Sequence, residues 1–403
     1  MPRKMMLMHM TRLLFAWVLL LIPVISTAQG SDVSGVAFID ANQNGVRDSG
    51  ERGLANVVVS NQDAVVVTDA SGAYRLPRGA DCVVFVSVPD GYRTVGNSWR
   101  RLDATTSPVD FPLAPIEGSS EFTFIHASDT HIAPASLART QRFRELADSL
   151  KPSFVIITGD LVRDALRVGE AEAKGYYELF KREVAQFKSP VWTVPGNHEI
   201  FGVERSKSGV SAEHPLYGRK MFHHYQGPDY YSFNYGGVHF VGLNTIDIDD
   251  QWYYGHIDSL QLAWLERDLA MVPETMPVVT FNHIPFFSSF EGIRGYDDGP
   301  PAPTLVTVNG KTAFRHTVSN AGDVLAVLRK CRHVLALGGH IHAGEQTVYE
   351  VDGLETRFNQ APAIVGPSAG AGMRFPSGFV VYTVRNGVID AGRFIPLDID
   401  KDK

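Results

Sequence analysis

Phe154-Val155-Ile156-Ile157-Thr158-Gly159-Asp160 is a run of strand-forming residues that ends in a glycine and an aspartate. β-Branched and aromatic residues favour strands, and the run is short and apolar enough to be buried. The arrangement recurs where Val191-Trp192-Thr193-Val194 is followed by Pro195 and then by Gly196-Asn197-His198-Glu199. Open α/β folds place ligand sites beyond the carboxyl ends of such strands. The two stretches therefore predict an α/β fold with polar chemistry at one edge of a sheet.

Potential metal ligands follow three more predicted strands. They are Asp129-Thr130-His131 after residues 121–127, His283 after residues 278–281, and Gly339-His340-Ile341-His342 after residues 334–337. Each fragment alone is weak, because a Gly-Asp pair is usually a turn and a lone histidine is usually a hydrogen-bonded core residue. All five motifs together offer two aspartates, one asparagine and three or four histidines. Nitrogen and oxygen ligands without a thiolate suit a pair of Mn, Fe or Zn ions.

The composition is that of an ordinary globular protein. The chain has 403 residues, of which 44% are hydrophobic and 20% are charged. At roughly 100–200 residues per domain, this length predicts two or three domains. The net charge of −7 argues against binding of a nucleic-acid duplex through a basic surface. Cys82 and Cys331 fall in different predicted domains, so no disulfide framework is expected.

Residues 1–28 have the features of a cleaved secretory signal peptide. Arg3, Lys4 and Arg12 are positive, residues 13–25 are apolar, and Ser26-Thr27-Ala28 supplies small residues for cleavage. An uncleaved membrane anchor is the alternative, but the apolar run is short for a transmembrane helix. The sequence therefore predicts a periplasmic or secreted protein without a stable membrane span.

Two regions with different patterns follow. Residues 31–116 predict a small all-β sandwich, because short β-branched runs alternate with clusters of Gly, Asn and Asp. Residues 121–400 alternate strand-like and helix-like segments. The predicted helices are residues 139–150, 176–187 and 259–269. Residues 378–384 and 388–394 predict a closing hairpin around Asn386-Gly387.

The whole of residues 121–400 resembles a calcineurin-like metallophosphoesterase domain. The resemblance rests on the five motifs in their order and on three connecting segments: Tyr230-Tyr231-Ser232-Phe233, Val238-His239-Phe240-Val241 and Gln261-Leu262-Ala263-Trp264-Leu265. It implies a two-sheet β-sandwich flanked by helices, with a dimetal site at one edge. The strand and helix pattern by itself also fits a doubly wound sheet.

The resemblance implies seven metal ligands, all of them in the five motifs. One ion would be held by Asp129, His131 and His342, and the other by Asn197, His283 and His340. Asp160 would bridge the two ions, and its charge would hold them at the roughly 3.5–4 Å separation of two-metal sites.

His198 resembles the family's non-ligand histidine beside the scissile phosphate. The family mechanism implies that a metal-bridged hydroxide attacks phosphorus while His198, as general acid, protonates the leaving group. The expected protein is a secreted dimetal hydrolase of small phosphate esters. Arg163 stands where the purple acid phosphatase branch carries a tyrosine, three residues after the bridging aspartate. A tyrosinate–iron centre is therefore not expected.

The N-terminal region carries a candidate calcium loop at residues 40–51. Its candidate ligands are Asp40, Asn42, Asn44, Asp48 and Glu51, which match the twelve-residue pattern of an EF-hand loop with Gly45 at the sixth position. The flanking segments are predicted strands, as in β-sandwich modules of surface proteins. The loop predicts a bound calcium ion, and a metal-free turn between two strands is the alternative.

Two other functions compete with general phosphate-ester hydrolysis. The same dimetal site would suit a nucleotide or phospholipid-headgroup phosphodiesterase. A catalytically silent ligand-binding surface protein is the alternative from another class, but no ligand position is missing. Residues 286–316, with Phe286, Phe290 and Tyr296, lie between two ligand motifs, so they either line the substrate site or form a surface loop.

Overall fold

The computed structural model describes residues 32–79, 83–102, 108–299 and 303–397. The predicted signal peptide and Cys82 lie outside the described residues. Among the helices in the described part of the chain, none is long and apolar enough to cross a membrane.

The first region is all-β. Its strands are β1 (Val33–Ile39), β2 (Val58–Ser60), β3 (Val65–Val67), β4 (Ala73–Leu76), β5 (Val83–Ser87), β6 (Tyr92–Thr94), β7 (Trp99–Arg101) and β8 (Phe111–Pro115). They form two four-stranded sheets in the orders β4-β1-β8-β6 and β3-β2-β5-β7. Val59, Phe85 and Phe111 belong to one buried hydrophobic cluster. The predicted all-β region is confirmed.

The second region mixes strands and helices. Its strands are β9 (Glu121–Ala127), β10 (Phe154–Thr158), β11 (Val191–Val194), β12 (Tyr231–Tyr235), β13 (Val238–Gly242), β14 (Ile246–Asp249), β15 (Trp252–Gly255), β16 (Pro277–Phe281), β17 (Leu305–Val308), β18 (Lys311–Phe314), β19 (Arg332–Gly338), β20 (Glu345–Val351), β21 (Leu354–Gln360), β22 (Ser368–Gly370), β23 (Met373–Phe375), β24 (Gly378–Arg385), β25 (Val388–Ile389) and β26 (Arg393–Pro396). Its helices are α1 (Leu137–Leu150), α2 (Glu170–Val184), α3 (Arg205–Ser208), α4 (Lys220–Tyr225), α5 (Ser259–Leu269), α6 (Ser289–Arg294) and α7 (Ala321–Leu328).

Two six-stranded sheets face each other in this region. One has the order β11-β10-β9-β24-β25, with β26 also paired to β24, and the other has the order β12-β13-β16-β19-β21-β20. Phe124 and Phe154 of the first sheet contact Phe240 of the second, with ring centroids 5.5 and 5.1 Å apart. The fold is therefore the predicted two-sheet sandwich, and the doubly wound alternative is wrong.

Strand alternation explains how helices cover the first sheet. Successive side chains of a strand point to opposite faces. Phe124 accordingly lies in the core between the sheets, whereas its neighbour Ile125 lies in a second cluster with Phe143 of α1 and Tyr177 of α2. Burying both faces leaves the strand ends as the accessible part of the sheet.

The all-β region packs directly on the second sandwich. Phe85 contacts the rings of Tyr231 and Trp264, with centroids 6.5 and 6.4 Å away. Gln62 Nε2 donates to Asp229 Oδ1 over 2.9 Å, and both residues are buried. The two regions share one hydrophobic cluster. The N-terminal region is therefore tested in the full chain, because part of its core is formed by the second region.

Candidate dimetal site

Both sheets deliver their ligand motifs to the same edge of the sandwich. Asp129, Asp160 and Asn197 follow β9, β10 and β11, which are parallel neighbours. His283 and His340 follow β16 and β19, which are also parallel neighbours. Because parallel strands end on the same side of a sheet, these side chains meet where the two sheets face each other.

Five of the seven predicted ligands have a left-handed backbone. The φ angles of Asp129, His131, Asp160, His340 and His342 are 55°, 38°, 47°, 70° and 57°. Such angles are uncommon outside glycine and collect at functional sites, where surrounding structure enforces them. The sharp turns direct the side chains from the strand ends towards one point.

Glycines in the motifs give the ligands room. A Cβ atom on Gly196 would lie 2.2 Å from Asp160 Oδ1, and one on Gly159 would lie 2.7 Å from His283 Cβ. A Cβ atom on Gly339 would meet Ser128 Oγ at 1.8 Å. Any larger residue at these positions would displace the strand ends.

A first group of ligand atoms surrounds Asp129. Asp129, His131, Asp160 and His342 each offer one atom within 4.8 Å of the others. His342 Nε2 lies 3.1 Å from Asp129 Oδ1, and His131 Nε2 lies 3.5 Å from Asp160 Oδ2. The imidazole Nε2 atoms of His131 and His342 are 3.2 Å apart.

A second group lies on the other side of Asp160. His283 Nε2 is 3.2 Å from Asp160 Oδ2 and 3.1 Å from His340 Nδ1. Asp160 belongs to both groups. In the described part of the chain, groups of three or more His, Cys, Asp or Glu ligands this close occur only at these two places.

Two buried oxygen atoms fit a cation. Asp129 Oδ1 and Asn197 Oδ1 are fully enclosed and make no well-aligned hydrogen bond within the described structure. The nitrogen 3.1 Å from Asp129 Oδ1, His342 Nε2, belongs to the same ligand group. Both neighbours of Asn197 approach Asp160. The His198 amide donates to Asp160 Oδ1 over 3.0 Å, and a Cβ atom on Gly196 would lie 2.2 Å from the same oxygen. Buried oxygens are normally satisfied. The donor set of nitrogen and oxygen atoms therefore fits two transition-metal ions.

Opposite charges dominate the electrostatics of the site. Burial favours the neutral carboxyl of Asp160, but His283 and His198 outweigh burial and hold the pKa of Asp160 well below its usual range. Burial also disfavours charge on His283, yet Asp160 raises the pKa of His283 to about 9. Asp160 is thus negatively charged, and its charge favours cations in both ligand groups.

His198 lies beside the ligand groups but has a different arrangement. Its Nδ1 is 2.7 Å from the carbonyl oxygen of Arg163, so this nitrogen carries the proton and donates. Its Nε2 points into the site, 3.9 Å from Asp160 Oδ2. The side chain of His198 is 20% exposed, which leaves Nε2 accessible to a bound ester.

Glu199 stabilises the loops of the site and is not assigned a part in the reaction. It is fully buried, and it accepts hydrogen bonds from the amides of Val162 and Gly196 over 2.9 and 2.6 Å. Burial and then the charge of Asp160 raise the pKa of Glu199 to about 8. The carboxyl therefore ties together the loops that carry Asp160 and Asn197.

His316 is a site residue that the sequence analysis missed. Its Nδ1 lies 2.6 Å from Nε2 of His340, and the two rings are nearly parallel with centroids 4.8 Å apart. Burial, with Arg315 and Arg294 nearby, lowers the pKa of His316 to about 4 and keeps its ring neutral. No motif surrounds His316 in the sequence.

The described part of residues 286–316 contains one short helix and two strands rather than a bare loop. These elements are α6, β17 and β18. Phe286 and Phe290 are 3% and 8% exposed, so these two aromatics are core residues rather than substrate contacts. Tyr296 is 47% exposed and packs edge-on against Phe314.

The candidate calcium loop at residues 40–51 is held by hydrogen bonds of its predicted ligands, but in the described structure its carboxylates Asp40, Asp48 and Glu51 do not form a close ligand group like the two that share Asp160. Asp40 is fully buried, and its carboxylate accepts the amides of Asn44 and Gly45 over 3.2 and 2.8 Å. The Asn42 and Asn44 amides both donate to Asp48 Oδ2 over 2.8 Å. Glu51 accepts from Ala41 and Asp48 at the far end of the loop.

A pair of ligand groups that share one aspartate, at the edge of a two-sheet sandwich, defines the class of dimetal hydrolases. Residues 122–344 match the calcineurin-like phosphoesterase family, and residues 41–114 match its N-terminal companion domain. The chain belongs to the calcineurin-like phosphoesterase family. It is a metal-dependent phosphoric ester hydrolase, and the catalytically silent alternative is not supported.

Relatives within the family include two cyclic-nucleotide enzymes. The chain is 23% identical over 246 residues to the 3′,5′-cyclic adenosine monophosphate phosphodiesterase of Escherichia coli, covering 57% of this chain and 72% of that protein. It is 25% identical over 207 residues to a 3′,5′-cyclic-nucleotide phosphodiesterase of Nostoc, covering 51% of this chain and 61% of that protein. A dimetal phosphatase from Danio rerio aligns with 16% identity and a TM-score of 0.45, over 68% of this chain and 96% of that one.

Proposed function

We propose that this site hydrolyses small phosphate esters with two divalent transition-metal ions bridged by Asp160. The observation that carries the proposal is that Asp160 belongs to both ligand groups. Asp129, His131 and His342 hold one ion, and Asn197, His283 and His340 hold the other. Mn, Fe and Zn suit this donor set.

Two divalent ions held by these residues would lower the pKa of a bound water for attack on phosphorus and would neutralise charge on the phosphoryl oxygens. The protein supplies the rest of the chemistry. Asp160, whose Oδ1 accepts the His198 amide, belongs to both ligand groups and would hold them together. The Arg163 carbonyl accepts from His198 Nδ1 and orients the ring so that Nε2 faces the site. As an imidazolium protonated on both nitrogens, His198 would give its Nε2 proton to the leaving oxygen and keep the proton on Nδ1.

Phosphodiester hydrolysis is the second candidate function. The E. coli and Nostoc relatives carry names that describe cyclic-nucleotide phosphodiesterases, and each match spans half of this chain or more. A cyclic nucleotide, another nucleotide diester or a phospholipid headgroup diester would present the same phosphoryl group to Asp160 and His198. No nucleic-acid duplex is proposed as a substrate, because the net charge of the chain is −7.

The test is turnover of a substrate panel by the Mn-loaded full chain. We expect hydrolysis of p-nitrophenyl phosphate, bis-p-nitrophenyl phosphate or both, and a preference for the diester together with 3′,5′-cyclic AMP would favour the second candidate. An Asp160→Asn preparation serves as the blank for contaminating phosphatases. Absence of metal-dependent turnover across monoesters and diesters would contradict the proposal.

The proposal includes export to the periplasm or beyond. It rests on the positive, apolar and small-residue segments in residues 1–28. Sequencing the N-terminus of protein recovered from the periplasm or medium tests it. A cytoplasmic protein that retains Met1 would contradict export.

Calcium binding at residues 40–51 is proposed as a structural feature of the N-terminal region. We expect calcium to raise the unfolding midpoint of the full chain, because binding to the folded state alone stabilises by ~2.7 kcal/mol at a hundredfold excess over Kd. The measurement is thermal unfolding with and without calcium.

Two variants make the calcium test specific. The Asp40→Ala, Glu51→Ala double variant should lose the calcium-induced shift, whereas Asp160→Asn should keep it because its change lies in the other region. A midpoint that calcium leaves unchanged in the native chain would favour the metal-free turn.

A further inference from the structure

We infer that His316 is a positioning residue that holds the ring of His340 for metal binding. The inference rests on the proposed ligand set, because it assigns His340 to the second ion. Nothing in the five motifs points to His316, which reaches the site from the segment between His283 and His340.

The geometry at His340 assigns a different task to each ring nitrogen. His340 Nδ1 lies 3.1 Å from His283 Nε2 and belongs to the ligand group of Asp160, so Nδ1 is the metal-facing atom. A ring nitrogen must be free of its proton to bind a metal, and the neutral ring then carries its proton on the other nitrogen. With a metal ion on Nδ1, that proton would be on Nε2, which lies 2.6 Å from His316 Nδ1.

His316 therefore accepts the hydrogen bond that fixes both the tautomer and the orientation of His340. Metal-bound histidines are commonly oriented by a carboxylate, carbonyl or water at this position. The contact lies along the ring edges: Nε2 and Nδ1 are 2.6 Å apart, the centroids are 4.8 Å apart and the ring planes differ by 28°, so the hydrogen bond lies close to the plane of the His340 ring.

The segment around His316 is rigid enough to set this geometry. Arg315 is 4% exposed, with its guanidinium carbon 4.1 Å from the centroid of the Tyr253 ring and Nη1 donating to the Pro303 carbonyl over 2.9 Å. On the other side, the Val318 amide donates to the carbonyl oxygen of Pro285 over 3.0 Å. His316 is thus held between two fixed neighbours.

A close backbone approach completes the support. A Cβ atom on Gly255 would lie 2.1 Å from the carbonyl oxygen of Thr317, so only glycine lets the two segments pack together. The end of β15 therefore packs backbone to backbone against residues 315–318, and Gly255 pairs with Val318. Tyr253 of the same strand also contacts the edge of His340, with centroids 6.1 Å apart.

The experiment is a calorimetric Mn²⁺ titration of the metal-free full chain and two variants. His316→Leu removes the acceptor but retains bulk, whereas His316→Asn places an oxygen close to the position of Nδ1. We expect His316→Leu to weaken one of the two binding steps by ~10–100-fold, the usual effect of losing such a partner. We expect His316→Asn to restore most of that affinity.

His256→Leu is the matched control. His256 is also partly buried and pairs with a carboxylate, Asp247 Oδ2 at 3.0 Å, but it contacts no proposed ligand. Its metal affinities should equal those of the native chain. Thermal unfolding of each metal-free variant shows whether weaker metal binding comes from loss of the hydrogen bond to His340 or from loss of the folded state.

The outcomes separate this inference from the proposed function. If the native chain takes up fewer than two ions, the proposed dimetal function fails. If the native chain binds two ions and His316→Leu binds both as tightly, the inference alone is wrong. An equal loss in His316→Asn and His316→Leu would also overturn it, because the acceptor would not matter.

Discussion

Replacing Asp160 by asparagine is expected to remove both metal ions and abolish turnover. Asparagine keeps the oxygen that accepts the His198 amide and tolerates the left-handed backbone, φ 47°, at this position. The variant should therefore fold while losing only the negative charge. Deleting the charged partner of a buried ionic group typically costs ~3–5 kcal/mol. A loss of this size would correspond to metal binding weaker by ~10²-fold to ~4 × 10³-fold, at 1.4 kcal/mol per tenfold.

Elemental analysis of the purified variant, together with its rate on the best ester of the panel, checks this prediction. Asp247→Asn is the matched control, because Asp247 pairs with His256 outside both ligand groups. The control should retain two ions and the native rate. An Asp160→Asn protein with two ions per chain and normal turnover would show that Asp160 does not bridge the metals.

The strands that carry the ligands could be predicted almost residue by residue. Strands β9, β10 and β11 begin and end where the sequence analysis placed them, at residues 121–127, 154–158 and 191–194. Strand β10 is central and buried along its whole length, so it is a continuous apolar run, and a polar ligand motif follows each of the three strands. The end of each strand is therefore visible in the sequence as the point where apolar residues stop and a polar ligand motif begins.

Elements whose limits depend on solvent-exposed residues were harder to predict. Helix α2 begins at Glu170 rather than at residue 176, because its first turn is acidic and polar and carries no apolar periodicity. Residues 388–394 were predicted as one strand, which is wrong. Gly392, with φ 84°, ends a turn that separates β25 from β26, and both strands pair with β24.

The contribution of His316 could not be predicted from the sequence, for a different reason. The His316–His340 contact is tertiary, since helix α7 and strand β19 lie between the two residues in the chain. A lone histidine without a neighbouring ligand or glycine is most often a hydrogen-bonded structural residue. The metal ligands, by contrast, could be recognised in the sequence, because they lie in short motifs that combine a strand end, a tight turn and a ligand.

Replacing His198 by alanine is expected to lower kcat by ~10²–10⁴-fold, the usual contribution of a general acid or base. Metal content should stay at the native level, because His198 Nδ1 is bound to the Arg163 carbonyl and Nε2 lies 3.9 Å from the nearest oxygen of Asp160. The loss should be largest for esters of alkyl alcohols. It should shrink for p-nitrophenyl esters, whose leaving group departs without a proton.

The check is a comparison of kcat for alkyl and p-nitrophenyl esters, with metal analysis of the same preparations. His214→Ala is the matched control, since His214 lies near a carboxylate, Glu170, at 3.3 Å but outside the ligand groups. A His198→Ala protein that loses one ion would identify His198 as a ligand. Equal losses of kcat on both kinds of ester would show that His198 does not act as the proton donor, because only the alkyl leaving group needs a proton.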